Sequence, residues 1–246
     1  MDILKVRPRW KSVGAGEGSR RLVLPLLSLA GVAALLGFLL LTVGGESPAG
    51  QNKGRFWMDA GYQQNVEAEE RKRDAEYDEG RVLDIVGVKS GMTVGEVGAG
   101  NGYFTLKLAS RVGPSGRIYA NDILGGALAE LQDRAKKRNL SNIMAILGTE
   151  TDPRLPPSKL EIVFLVRTFH DLSEPVVMMD RVAASLKPGG KIVIVEVEYE
   201  AHDGKSLRPM TRRQYLDILA GTRLAVERID KSLPNPRSLV LVLAPK

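Results

Sequence analysis

No cysteine occurs anywhere in the 246 residues. Disulfide bridges, thiolate metal ligands and cysteine nucleophiles are therefore excluded together, while the redox compartment stays open. Histidine is nearly as scarce, with only His170 and His202 present. A basic block is also missing. The formal charge is +6, but residues 1–50 hold six Lys/Arg against three Asp/Glu, so half of the excess lies in the first fifth of the chain. Binding to a phosphate backbone rests on clustered cations, so no nucleic-acid partner is expected. What is present in ordinary amount is apolar content, 43%, and charge, 26%, the balance of a globular domain.

Long apolar runs are absent apart from one. From Leu22 to Val43, "LVLPLLSLAGVAALLGFLLLTV" carries no charge, and at about 1.5 Å per residue it spans roughly 33 Å, enough for a hydrocarbon core of about 30 Å. The organisation expected is a basic segment at 1–21, a single transmembrane helix at 22–43, a Gly/Pro/Ser-rich linker at 44–65 and one domain at 66–246. A cleaved signal peptide is the alternative, with Ser47 and Ala49 as small residues at the cleavage point, although the run exceeds a usual signal core.

Within the domain, "VEAEERKRDAEYDEG" (66–80) reads as a solvated helix because mixed charge covers it. Short apolar runs then alternate with helical patterns: strands at 93–97, 117–122, 142–147, 160–166 and 191–197, with helices near 103–112, 126–139 and 175–185. Ser173 is the N-cap expected before Pro175, and "LKPGG" a helix stop followed by a turn. Thr211 and Gln214 form a capping box for a helix that Gly221 ends, and two strands, near 225–229 and 239–243, close the chain. Such alternation implies a Rossmann-like α/β fold with a mostly parallel sheet covered on both faces. In such sheets a ligand sits beyond the carboxyl ends of the strands, where strand order reverses.

The first strand runs into "EVGAGNGYF", where Gly98, Gly100 and Gly102 follow a G-x-G-x-G spacing. A dinucleotide fingerprint needs its third glycine one position later, where Tyr103 stands, which disfavours a pyrophosphate ligand and an NAD-type oxidoreductase. Glu96 places an acid beside the loop, suited to a ligand bearing an ammonium group. Asp122 ends the second strand, where a carboxylate can accept hydrogen bonds from two ribose hydroxyls. Ribose plus ammonium without phosphate describes S-adenosylmethionine. Blander readings remain beside these: a tight strand-to-helix turn for the glycines, a helix cap for Glu96 and a surface loop for Asp122.

The blocks "EVGAGNGYF", "IYANDI", "LGTETDPRLP", "FHDL" and "LKPGGKIVIVE" together resemble the class I S-adenosylmethionine-dependent methyltransferases. The resemblance is to a bacterial group with an "RDA" segment ahead of the first strand, here Arg73, Asp74 and Ala75. It runs from about Arg71 to Ala244. It implies a seven-stranded sheet whose last strand is antiparallel, with the cofactor across the ends of the first two strands, and Gly148 and Thr149 along its adenine ring. The family often carries an acid at the place of Thr149. The membrane helix is not part of the family's core.

Methyl transfer from a sulfonium needs alignment above all, and an oxygen or nitrogen nucleophile can also need a base. His170 is the candidate base, or a packed strand-end histidine; its ordinary pKa of about 6.5 leaves it substantially neutral near pH 7. Asp171 beside it is a candidate for orienting the ring. Arg167 departs from the family, where Asp is common three residues before the histidine; it is either a contact for an anionic substrate or a partner of Asp171 or Asp180. "RTFH" lacks the "NPPY"-like run of nitrogen-directed methyltransferases, so the expected acceptor is a small or lipid-like molecule. A catalytically silent methyltransferase-like binding module is the reading from another class. His202, in "EAHDGKS", reads as solvated. The charge bias around the apolar run places the domain outside the cytoplasm, whereas cofactor supply favours the cytoplasmic side.

Overall fold

The computed structural model describes residues 60–198 and 210–246, with side chains described from Val66 onward. All of them fall in one compact unit, Ala49–Lys246. The described residues open with helix α1 (Ala60–Tyr77), a 3-10 turn (Glu79–Arg81) and the short α2 (Val82–Ile85). It then alternates through β1 (Thr93–Val97), α3 (Tyr103–Val112), β2 (Arg117–Asp122), α4 (Gly125–Lys137), β3 (Ile143–Leu147) and β4 (Leu160–Val166). A second 3-10 turn (Phe169–Asp171) leads to α5 (Pro175–Ala184), β5 (Leu186–Val197), α6 (Arg212–Ala220), β6 (Leu224–Asp230) and β7 (Ser238–Pro245).

The seven strands lie in the order β3-β2-β1-β4-β5-β7-β6. Strands β1 to β5 pair in parallel, and β7 is antiparallel to both of its neighbours. The chain therefore builds outward from β1 to β3, then returns to the other side of β1 with β4. That reversal sits between β1 and β4, where the register sets Val97 level with Asn121 on one side and Leu165 on the other. Three strand ends and their loops thus converge on one crevice.

Period-two alternation explains the two-sided core. In β4, Ile162, Phe164 and Val166 face the layer of α2, α3 and α4, where Leu106, Leu108 and Leu131 close against them. Val163 and Leu165 face the opposite layer, with Met178 and Met179 of α5 and Tyr215 and Leu219 of α6. Phe104 and Phe164 meet with ring centroids 5.3 Å apart. The edge strand β3 has no fully buried residue.

The expected α/β sheet and its antiparallel last strand are found, and the capping box at Thr211 and Gln214 is formed. Three local expectations change. The α5 N-cap is Glu174 rather than Ser173. "LKPGG" is the first part of β5, not a turn ahead of it: pairing jumps from Leu160↔Leu186 to Ile162↔Lys191, and the extra residues are absorbed with Gly189 at φ 77. Helix α1 is not simply solvated, since Glu70, Arg73 and Asp74 pair with Arg134, Glu79 and Lys107 on other elements. The single-pass membrane location is also corrected: among the described residues no helix is long and apolar enough to cross a membrane. The run 22–43 and His202 lie outside the described residues.

Candidate functional site

The loop after β1 takes its shape from three glycines with positive φ: Gly98 at 75, Gly100 at 54 and Gly102 at 93. A side chain is resisted at each for a different reason. A Cβ on Gly98 would lie 2.3 Å from Thr168, and one on Gly102 2.3 Å from Leu131 Cδ1, whereas one on Gly100 meets nothing within 4 Å. Two glycines therefore serve packing, and the middle one faces open space.

Backbone hydrogen bonds hold the loop against β2. Ala99 N–H donates to the Asn121 carbonyl at 2.8 Å, and Gly102 N–H to the Ala99 carbonyl at 2.9 Å. Asp122 completes the arrangement: Oδ2 accepts the Gly100 N–H at 2.7 Å and Oδ1 the Leu124 N–H at 2.9 Å. From the far side Arg134 donates to the Asn101 carbonyl at 2.9 Å and forms a two-pronged pair with Glu70 at 2.6 and 2.8 Å. The loop is clamped between α4 and α1.

A cavity of about 360 Å³ opens at this crevice, lined by Gly98, Asp122, Ile123, Leu124, Thr149, Arg167 and Thr168 among others. Ile123 and Leu124 are half or more exposed, 50% and 63%; apolar side chains left uncovered beside a buried carboxylate suit the flat face of a base next to a polar sugar. Gly148 packs behind, where a Cβ would lie 2.3 Å from Asn121 Nδ2, and its N–H donates to the Asp122 carbonyl at 3.0 Å. Thr149 closes a turn, its hydroxyl accepting the Asp152 N–H at 3.0 Å.

Glu96 lies behind the loop rather than on the cavity wall. It is 2% exposed and accepts the Thr105 hydroxyl at 2.6 Å. Burial pushes its carboxyl up to about 8, and the Thr105 bond offsets only part of that rise.

His170 stands on the 3-10 turn after β4. Its Nδ1 lies 2.8 Å from Glu196 Oε2, and its backbone N–H donates to Glu196 Oε1 at 3.3 Å. Asp171 Oδ2 is 3.5 Å from Nε2. The hydrogen bond to Glu196 raises its pKa above the ordinary value, against burial. Glu196 rather than Asp171 makes the shorter contact. Arg167, at φ 58, has its guanidinium 4.5 Å over the Tyr77 ring and its Nε 3.7 Å from Glu79.

The structure thus brings Gly98, Asp122, Thr149 and Arg167 onto one cavity and sets Glu96, Gly102, Gly148 and His170 behind it. Sequence reading passed over Ile123, Leu124, Glu196 and Glu79. The first two carried a signal, an apolar pair directly after a strand-end acid. Glu196 carried another, a lone carboxylate inside "IVIVEV". Among the described residues no group of His, Asp and Glu could hold a metal ion.

A family model described as a methyltransferase domain matches residues 88–217. The chain is 28% identical over 109 residues to a demethylmenaquinone methyltransferase of Geobacillus sp. strain WCH70, covering 44% of this chain and 47% of that one. It is 29% identical over 112 residues to a nocamycin O-methyltransferase of Saccharothrix syringae, covering 46% and 40%. The chain therefore spans about half the length of these curated relatives. A solved S-adenosylmethionine-dependent methyltransferase from Aquifex aeolicus superposes with a TM-score of 0.62 at 25% identity, over 72% of this chain and 96% of that one.

Two measurements follow from the geometry. Gly98→Ala and Gly102→Ala add a steric overlap to a left-handed backbone and should each cost at least about 2 kcal/mol, whereas Gly100→Ala bears only the backbone cost of about 1 kcal/mol; urea unfolding of the three variants tests the order. The second concerns Glu96, whose folded value of about 8 lies above its ordinary 4.5. Its contribution to stability is full below the lower value and is lost as pH rises toward the upper one. Urea midpoints of wild type relative to E96Q should fall between pH 5 and pH 8.5; a constant difference would contradict the buried protonated state.

Proposed function

The chain belongs to the class I S-adenosylmethionine-dependent methyltransferases, and from that premise we propose that it transfers a methyl group from S-adenosylmethionine to a small-molecule acceptor. When bound, the cofactor supplies a methyl carbon on a sulfonium: the carbon–sulfur bond breaks with its electron pair left on sulfur, as an acceptor lone pair forms the new bond to carbon.

The observation that carries this reading is the Asp122 carboxylate at the rim of the glycine loop, beside open space above Gly100. A carboxylate offers about four lone-pair directions, and the two backbone N–H groups take only two of them. Both oxygens therefore retain acceptor capacity for the ribose hydroxyls. Ile123 and Leu124 are placed to cover the adenine, with Thr149 on the same wall. Gly100 leaves room for close approach of the nucleoside. Gly98, Gly102 and Gly148 act indirectly, by allowing the loop and Asn121 to pack where they do.

Glu96 keeps its proposed ammonium role only from beneath the loop, because Thr105 holds its carboxyl inside. A cation above it would favour the ionised form. In this reading His170, held through Nδ1 by Glu196, acts as a positioning residue at the end of β4. Binding and alignment are then the main tasks of this chain, and alignment alone supplies roughly 7 to 11 kcal/mol of a barrier.

Calorimetric titration with S-adenosylmethionine and S-adenosylhomocysteine tests the reading. Saturable binding is expected for both, weakened more than tenfold, about 1.4 kcal/mol, by Asp122→Ala. Unchanged affinity in that variant removes the ribose role, and tighter binding of NAD than of either compound would contradict the proposal as a whole.

A further inference from the structure

A second cavity, of about 550 Å³, lies against α1 and shares a single wall residue with the first, Arg167. Val66, Tyr77 and Tyr103 contribute apolar surface, and Arg73 and Arg167 line its inner end. We propose that this cavity is the acceptor site and that it selects a planar aromatic molecule bearing an acidic hydroxyl or carboxyl, bound as an organic anion against Arg167. This rests on the reading of the adjoining cavity as the methyl donor's site.

The first argument is charge. The inner end holds two guanidiniums and one buried carboxylate. Glu79, 1% exposed, accepts the Arg73 Nε–H at 2.7 Å, and Arg167 Nε stands further off at 3.7 Å. One negative charge is thus shared between two positive ones. The other carboxylates on this cavity are committed elsewhere. Glu70 is paired with Arg134 at 2.6 Å, Glu69 lies 3.9 Å from Lys72, and Glu76 accepts the Asn235 amide at 3.3 Å. Glu69 is also well exposed, where water and salt screen it. Glu76 meets a neutral amide and keeps its charge, so the local excess of positive charge is confined to the inner end, where Arg73 and Arg167 share the one Glu79 carboxylate.

The second argument is shape. Arg167 lies 4.5 Å over the Tyr77 ring and Arg73 4.1 Å over the Tyr103 ring, so each guanidinium sits against an aromatic face. Flat cationic and aromatic surfaces favour a planar guest. A cation at the seam would also stabilise the deprotonated form of an acidic hydroxyl. Such an acceptor meets the methyl donor as an oxyanion, its proton already released to solvent, and no side-chain base has to be found in the crevice.

Three probes of similar size test this at pH 7.5 by fluorescence titration under saturating S-adenosylhomocysteine: 1-hydroxy-2-naphthoate, 1-naphthol and 1-naphthylmethylamine. The wild-type chain should bind the anion at least tenfold more tightly than the cation, with 1-naphthol between them. R167Q should bring the anion-to-cation ratio below threefold, and R167K should keep most of it. The ratio is the readout because a damaged fold or a lost cofactor weakens all three probes alike. A preference for the cation, a ratio unchanged in R167Q, or no saturable binding of any probe would overturn the proposal. If S-adenosylhomocysteine binds and the anion preference is missing, the acceptor assignment fails alone. If it does not bind, the methyltransferase reading fails, and the ratio is still measured without it.

Discussion

The hydrogen bond from the Gly100 N–H to the Asp122 carboxylate, 2.7 Å long, joins the ends of two neighbouring strands through a loop that has almost no side chains. Bonds between a backbone donor and an ionised acceptor are stronger than neutral ones, and this one spans 22 residues of chain. It fixes where the loop turns, and so fixes the crevice. The left-handed glycines permit the path, and the carboxylate selects it. Because Asp122 also receives the Leu124 N–H, the same side chain sets the start of α4 and brings Ile123 and Leu124 to the rim.

The second layer of organisation comes from α1. Its sequence is charged nearly throughout, yet its inward charges meet partners on α3, α4 and the 3-10 turn. Asp74 accepts the Tyr103 hydroxyl at 2.5 Å and Lys107 at 2.8 Å. Burial raises the Asp74 carboxyl, but the Lys107 and Tyr103 bonds outweigh it and the net shift is downward. The Tyr103 hydroxyl is held on the other side of that bond, its pKa raised by burial and by Asp74. Partly exposed pairs of this kind contribute little each. Their effect is on placement, since together they hold one helix over the glycine loop and so build the wall of the second cavity.

Much of this was legible in the chain. The bounds of α3 and β4 follow from glycine punctuation and from an uninterrupted apolar run, and the position of Asp122 on the crevice from its place at a strand end. Capping at Thr211 was legible because both partners lie within one turn. What stayed hidden is non-local. "LKPGG" reads as a stop by composition, and only pairing with β4 makes it a bulged strand. His170 and Glu196 are 26 residues apart, and nothing short of the parallel register of β4 and β5 brings them together. Arg167 offers several acids nearby in sequence, whereas Glu79, 3.7 Å from its Nε, lies ahead of the first strand. The charges of α1 look solvated because their partners are far along the chain, 64 residues away for Glu70 and 159 for Glu76.

The central claim is that the loop clamped by Asp122 cradles the nucleoside of S-adenosylmethionine. The most direct measurement is a two-dimensional amide NMR titration of the whole chain with S-adenosylhomocysteine. The account predicts that the Gly98, Gly100, Leu124 and Thr149 amides shift saturably, while those of β6 and β7 stay in place. Saturable shifts confined to residues away from the ends of β1 and β2 would contradict it.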